Sequence, residues 1–376
     1  MIANALKQQV DLSPAFVLDL DQVHSNLKPL QKLREATDCK VLYSMKALPL
    51  SSLLSELKGY VDGMSVSSLF EARLAHQILG DSAGLHLTTP GLRADEFVEL
   101  AGLCGHISFN SLSQFQHLNA LVEGYSRGLR INPKLSFADD IRYDPCRMHS
   151  KLGVGVELLE GGLPEGVEGL HFHTVFSQAD LQPLLSTLEK LKPLLRRHRK
   201  LKWLNMGGGY LFHGIDDLDP LIALVHHLKT ELVEEVYLEP GKGLVGNAGY
   251  LLTTVIDRFE SDGKTVLVLD TSVNHQPKVF EYQVKSRLLD EDIQGTSSVI
   301  LAGSTCLAGD VFGEYCFEEI PDIGDKLIFS NVGAYTMIKA TRFNGYALPA
   351  MYLTQNGQLN LIKTDEYLAY RNQWLV

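Results

Sequence analysis

The chain lacks any run approaching the ~20 consecutive apolar residues that a bilayer-crossing helix needs, so no membrane span is expected. Its opening residues, MIANALKQQVDLSP, contain no apolar segment behind a basic one, and no signal peptide is expected there. Basic residues are in the minority, 34 Lys and Arg against 45 Asp and Glu. The formal net charge of −11 excludes a broad basic surface for nucleic acid. Cysteine is sparse: Cys39, Cys104, Cys146, Cys306 and Cys316 are scattered, with no CxxC pair. An odd count without a framework argues for reduced thiols in the cytoplasm, and against disulfides or a structural zinc. No internal repeat and no low-complexity tract stand out. The expectation is a soluble cytoplasmic protein that acts on a small molecule.

What the chain does have is 376 residues, 45% of them hydrophobic and 21% charged, enough for a large barrel and a smaller partner. Short β-prone runs recur from residue 41 to residue 241: VLYSMK (41–46), GMSVSS (63–68), GLHLTTP (84–90), HISFNS (106–111), GLRINP (128–133), GLHFHT (169–174), KWLNMGGG (202–209) and VYLEPG (236–241). Helix-like stretches such as SLFEARLAHQIL and DLQPLLSTLEKLKPLLRR lie between them. Strands alternating with amphipathic helices predict a parallel sheet, and eight such units fit a closed α/β barrel of the (β/α)8, TIM-like type. Polar and glycine-rich residues gather at the C-terminal end of each run, the edge on which such barrels carry their active sites. A long connection, 134–154, follows the fifth run and reads as a lid or a dimer contact. After about residue 250 the pattern becomes strands and turns with little helix signal. The expected division is a barrel over 22–252 and a C-terminal β-rich domain over 253–376, with the strand AFVLDLD (15–21) of segment 1–21 pairing into that second domain.

Several residues carry chemical potential. Lys46 ends the first run in an apolar setting, where a desolvated amine is neutralised more easily and can bond covalently to a carbonyl; a plain surface lysine is the competing reading. Gly207, Gly208 and Gly209 follow the seventh run, and Gly241, Lys242 and Gly243 follow the eighth, where such barrels commonly bind phosphate. Two tight turns would look the same. The string Gly241 to Gly246 also matches G-x-G-x-x-G, but strand-like residues follow it where a dinucleotide fold requires a helix. Glu239, at the mouth, suits the ring nitrogen of a pyridine cofactor or an ordinary ion pair. His171 and His173 share one strand face, fitting either a metal or a stacked planar cofactor. In the β-rich part, GSTCLAGD (303–310) sets Cys306 and Asp310 in a glycine-rich loop. The segment 333–349, with Tyr335, Phe343 and Asn344, reads as a strand and a turn.

In order along the chain, YSMKA, FNSLSQ, GLRINP, SKLGV, MGGG, LEPG, CLAGD and YTMIKATRFNG resemble the fold type III pyridoxal-phosphate enzymes. These are the alanine-racemase and ornithine/diaminopimelate decarboxylase group, and the chain is most similar to their carboxynorspermidine decarboxylase branch. The resemblance implies an alanine-racemase-type barrel plus a β-domain, with pyridoxal 5'-phosphate as cofactor. It also implies a homodimer with shared active sites. By it, Lys46 bonds the cofactor, Glu239 meets the pyridine nitrogen and His173 stacks on the ring. Gly207, Gly208, Gly209, Gly241 and Tyr335 hold the phosphate, joined by Lys242, and Arg147 and Lys151 lie near the cofactor. Cys306, reaching across from the second subunit, protonates the carbanion after decarboxylation, and Asp310 lies beside the substrate, as do Glu281 and Phe343. The polyamine branch tends to carry acidic residues at the positions of Ser177, Lys242 and Lys278. This chain has a hydroxyl and two lysines there. The expected substrate is therefore an N-substituted diamino acid with extra carboxylates, of the N-citryl type used in siderophore assembly. Carboxynorspermidine or carboxyspermidine, in polyamine biosynthesis, is the alternative, and an amino-acid racemase on the same fold is a further one.

Overall fold

The computed structural model describes residues 2–80, 84–198 and 201–375. The chain divides into two compact units, Ser25–Leu244 and Met1–His24 with Val245–Val376. The division falls ahead of the expected boundary at residue 252, which would have cut the continuous strand Gly249–Ser261. No helix among the described residues is long and apolar enough to cross a membrane.

Ser25–Leu244 is the barrel. Among the described residues its strands are, in order, Lys40–Ser44, Gly63–Val66, Gly84–Thr89, His106–Phe109, Ser126–Asn132, Gly169–Phe172, Leu201–Asn205 and Val233–Leu238. All pair in parallel, and the eighth closes onto the first through Tyr237↔Lys40 and Leu238↔Val41. The two-residue strand Val154–Gly155 attaches to the end of the fifth. Helices form where the sequence spaces apolar residues for one face. In Leu69–Leu79 the buried positions are Leu69, Ala72, Ala75 and Leu79, and Ser68 Oγ caps the helix by accepting from the Glu71 amide. Gln182–Arg197 buries Leu184, Leu188, Leu191 and Leu195, with Pro183 in its first turn and Arg196 and Arg197 at the dipole's negative end.

Side chains alternate across each strand, so every second residue enters the barrel. Here the interior floor is aromatic. His86 and His106, from the third and fourth strands, stack with centroids 4.0 Å apart and planes 15° apart. Tyr237 and Trp203, from the eighth and seventh, meet them at 4.4 and 5.5 Å. Rings from strands on opposite sides of the sequence order touch only across a closed interior. Trp203 fits because the fifth strand carries Gly128 and the sixth begins with Gly169. A Cβ on Gly128 would lie 2.2 Å from the indole, and one on Gly169 would lie 2.0 Å from it.

The second unit is a mixed sheet ordered Val311–Phe317, Ser297–Ala302, Lys264–Leu269, Gly249–Ser261, Ala15–Asp19, Ala350–Gln355 and Gln358–Lys363. Lys326–Ser330 also pairs onto Gly249–Ser261. Ala15–Asp19 joins it as expected, antiparallel to Gly249–Ser261 and parallel to Ala350–Gln355. Segment 333–349, expected as a strand and a turn, forms only the turns Met337–Lys339 and Phe343–Gly345 before strand Ala350–Gln355 begins. Helices Ile2–Gln9, Lys278–Tyr282 and Tyr367–Trp374 carried little sequence signal. Tyr367–Trp374 buries no residue and therefore has no apolar stripe to read.

The floor imidazoles give the barrel an acid sensitivity. Burial pushes His106 down to about 4, and burial with its neighbour His106 holds His86 well below the usual value. A neutral buried histidine stabilises the fold fully above its unfolded pKa, and progressively less as pH falls through the folded one. For His106 the window runs from 6.5 to about 4, worth roughly 3 kcal/mol at its acid end. We expect the melting temperature to fall across that window and His106→Gln to flatten the slope. Scanning calorimetry of both proteins from neutral to acid pH tests this, and equal slopes would refute it.

Candidate active site

Because all eight strands run in parallel, their C-terminal ends share one rim, and the polar residues singled out above collect there. Lys46 sits in the turn Met45–Ala47 directly after the first strand. Its side chain is exposed at the open mouth of the barrel. Desolvation lowers the Lys46 pKa, Glu239 opposes that shift, and Arg130 adds to it. The result is an amine more readily neutral than an ordinary lysine, the state that attacks a carbonyl.

Glu239 ends the eighth strand and is buried. Asn205 Nδ2 donates to its Oε1 at 2.7 Å, and the Ser65 side chain also hydrogen-bonds it. Burial raises the Glu239 pKa, while Lys46, these two hydrogen bonds and Arg130 pull it down. His171 lies one layer below, with Nε2 3.7 Å from Glu239 Oε2 and no hydrogen-bond partner on either ring nitrogen. His173 lies above it, and its Nδ1 accepts from the Gly208 amide at 3.2 Å. That bond puts the imidazole proton on Nε2. Burial, with Lys46 and Arg130 nearby, holds the His173 pKa well below the usual value, so the ring is neutral. Among the described residues, no group of three or more His, Cys, Asp or Glu is arranged to hold a metal. Arg130, which the sequence reading passed over, is a buried cation whose charge bears on Lys46, Glu239, His171 and His173. The available signal was an arginine inside the apolar run GLRIN, on the same strand face as Asn132.

The glycines are there for close approach. A Cβ on Gly208 would lie 2.0 Å from the Glu239 carbonyl oxygen, and Gly207 adopts φ +67°. The Gly207 amide donates to Asn205 Oδ1 at 2.9 Å, so the loop is locked onto the strand that precedes it. Gly241 brings the eighth loop against Ala47 and Ser44, each 3.1 Å from where its Cβ would be. Beside these loops Lys242 Nζ donates to Ser177 Oγ at 2.7 Å and stands 4.8 Å from the centre of the Phe176 ring. Burial lowers the Lys242 pKa, and among the described residues no carboxylate pairs with it. Arg147 and Lys151 are exposed on the connection after the fifth strand, and neither side chain bonds to the inner group.

In the second unit, Cys306 is exposed, and its amide and Sγ both donate to Asn344 Oδ1 at 3.1 Å. Asn344 holds φ +57° to receive them. Asp310, expected beside the substrate, turns inward. Its carboxylate is buried, accepting from the Val273 amide at 2.8 Å and from the Thr305 amide and hydroxyl, and it closes the loop that carries Cys306. With three of its roughly four acceptor sites taken and its side chain buried, this carboxylate has little left to offer a substrate amine. Glu281 pairs with Lys339, and Lys278 Nζ donates to the Asn331 carbonyl at 3.0 Å. Phe343 is exposed, and Tyr335 takes φ +57° in the turn after Lys326–Ser330.

Residues 15–333 match the family described as pyridoxal-dependent decarboxylase, C-terminal sheet domain. The chain is 33% identical to a carboxynorspermidine/carboxyspermidine decarboxylase of Campylobacter jejuni over 378 residues, covering 95% of this chain and 97% of that protein. It is 34% identical to a carboxyaminopropylagmatine decarboxylase of Synechocystis, covering 96% and 95%. The crystal structure of the Campylobacter jejuni carboxynorspermidine decarboxylase complexed with norspermidine superposes with a TM-score of 0.86 at 32% identity, over 97% of this chain and all of that one.

Proposed function

The chain belongs to the pyridoxal-dependent decarboxylase family, and we propose that it removes the α-carboxylate of a carboxynorspermidine-like amino acid, one whose side chain is extended through a secondary amine. That it is an amino-acid decarboxylase using pyridoxal phosphate follows from the family. The carrying observation for this chain is Lys46, an amine of lowered pKa facing a buried carboxylate and a neutral imidazole. Support for the substrate class comes from the near-full-length likeness to decarboxylases of carboxylated polyamines.

The mouth fits the cofactor. Lys46 is the amine to hold it, Glu239 the acceptor for its ring nitrogen and His173 the flat neutral face for its ring. The backbone at Gly207, Gly208, Gly209 and Gly241, where a Cβ would collide or crowd, leaves room for a phosphate, with Lys242 as a nearby cation. Tyr335 is assigned to the phosphate on the resemblance alone. When bound, pyridoxal phosphate supplies a sink for the electron pair left by departing carbon dioxide. Glu239 favours that as the carboxyl group facing the ring nitrogen, with Lys46 and Arg130 opposing the rise in its pKa that burial causes. Asn205 fixes the orientation of the carboxylate. His173, uncharged, adds no competing positive charge of its own. Cys306, presented by a second copy of the chain, delivers a proton from Sγ to the α-carbon, and Asn344 holds that thiol in place.

A second reading, a substrate bearing extra carboxylates such as an N-citryl diamino acid, is favoured by one observation. Lys242 presents an ammonium with no carboxylate partner among the described residues. The acids held in reserve for a substrate amine, Asp310 and Glu281, are already bonded.

Three measurements test these assignments. Lys46→Ala should abolish the borohydride-reducible bond between cofactor and protein, and peptide mapping that finds the bond on another lysine removes Lys46 from its role. Cys306→Ala alone should make amine product poorly. Mixed with Lys46→Ala protein under subunit exchange, it should recover up to about a quarter of wild-type activity, since half the dimers then hold one complete site. No recovery after verified exchange means the site is not shared. For the substrate, kcat/KM for carboxynorspermidine should exceed that for N-citryl diamino acids. The reverse order, abolished by Lys242→Glu, would establish the second reading.

A further inference from the structure

The connection that leaves the fifth barrel strand returns to it. Pro133 and Lys134 carry the chain out, with Lys134 in the left-handed region at φ +56°, and Val154 and Gly155 bring it back alongside Ile131 and Asn132. Two asparagines close the neck. Asn132 Oδ1 accepts from the departing Lys134 amide at 2.9 Å, while its Nδ2 donates to the returning Leu152 carbonyl at 3.0 Å. From the neighbouring strand, Asn110 Nδ2 donates to the Lys151 carbonyl at 2.8 Å and Oδ1 accepts from the Gly153 amide at 2.9 Å. Both asparagines stand at strand ends on the active rim, yet their amides are committed to loop backbone. Only a side chain that donates and accepts at once can make such a grip.

The body of the excursion is ordered too. Asp144 and Cys146 are buried, Cys146 N donates to Asp144 Oδ1 at 2.8 Å, and Ser150 Oγ donates to the Pro145 carbonyl at 2.6 Å. Its far side docks on the loop after the sixth strand. The Tyr143 and Phe176 rings stack 4.4 Å apart and nearly coplanar at 5°, and Gln178 Nε2 donates to the Phe137 carbonyl. Phe176 is the ring beside which Lys242 rests, and the next residue, Ser177, takes φ +57° to offer Lys242 its hydroxyl. One ring thus serves both the excursion and the cation.

We infer that Tyr143, by stacking on Phe176, is a positioning residue that holds the Lys242 ammonium where the mouth presents it to an anionic group. The assignment rests on the reading of this mouth as the active site. The neck is the fixed end, held by four hydrogen bonds. The Tyr143–Phe176 stack contributes about 1 kcal/mol, a factor of roughly five in an equilibrium.

The test compares Tyr143→Ala with Tyr143→Phe in the intact holoenzyme. In Tyr143→Ala, acylation of Lys242 by a water-soluble succinimidyl ester, read by mass spectrometry, should quicken roughly fivefold. Tryptic cleavage at Arg142 and Arg147 should quicken with it, and KM for carboxynorspermidine should rise more than kcat falls. Tyr143→Phe, which keeps the ring, should restore all three. On a Lys242→Met background, Tyr143→Ala should raise KM no further. Lys242 acylation unchanged in Tyr143→Ala, no rescue by phenylalanine, or additive KM effects would each overturn the proposal. Acylation is read without substrate. A wrong substrate class therefore shows as absent turnover with the acylation response intact, an outcome that supports the positioning role of Tyr143 and overturns only the substrate reading.

Discussion

A closed barrel that admits charge to its interior must balance that charge within a few ångströms, and the centre of this balance is Glu239. Burial raises its pKa. Lys46 and Arg130 oppose that rise, and the same burial depresses both cations, so the charge of each member depends on the others. Asn205 anchors one oxygen of the carboxylate and, through its own carbonyl oxygen, the first glycine of the following loop. The amide of the second glycine fixes the tautomer of His173. A chain of single hydrogen bonds therefore runs from the buried charge to the glycine loop and on to the imidazole at the mouth. Loss of the anion would alter the amine, the loop and the imidazole together.

The architecture was legible because its signals are periodic. Eight β-prone runs alternate with stretches carrying apolar residues at helical spacing, and Ser68 followed by Glu71 marks a helix start within them. The mouth was legible because rim residues lie at the ends of those runs, where Lys46, His173 and Glu239 interrupt apolar sequence. Arg130 escaped notice for the converse reason: it stands within a strand, where an inward and an outward position look alike until the closure of the sheet is known. The inward turn of Asp310 was not legible, on a different ground. Whether a loop carboxylate faces out or folds back depends on which of its own amides point inward, and that is set by the turn at Gly303, whose Cβ would collide with Asp310 Oδ1. Spacing carries no record of it.

Electrostatics and geometry divide the labour differently in the second unit. Cys306 owes its place to hydrogen bonds, to Asn344 in a left-handed turn and through Thr305 to Asp310. No ionised neighbour hydrogen-bonds the thiol.

The floor of the barrel sets a limit on how this chain can drift. Trp203 occupies volume that exists only because positions 128 and 169 lack side chains. A methyl group at either glycine has nowhere to go while the indole remains, and a smaller residue at 203 leaves both glycines facing a void. The three positions therefore form one inherited unit on three different strands. A lineage can leave that combination only through intermediates less stable than either end, so the trio should be retained longer than any of the loops at the opposite rim.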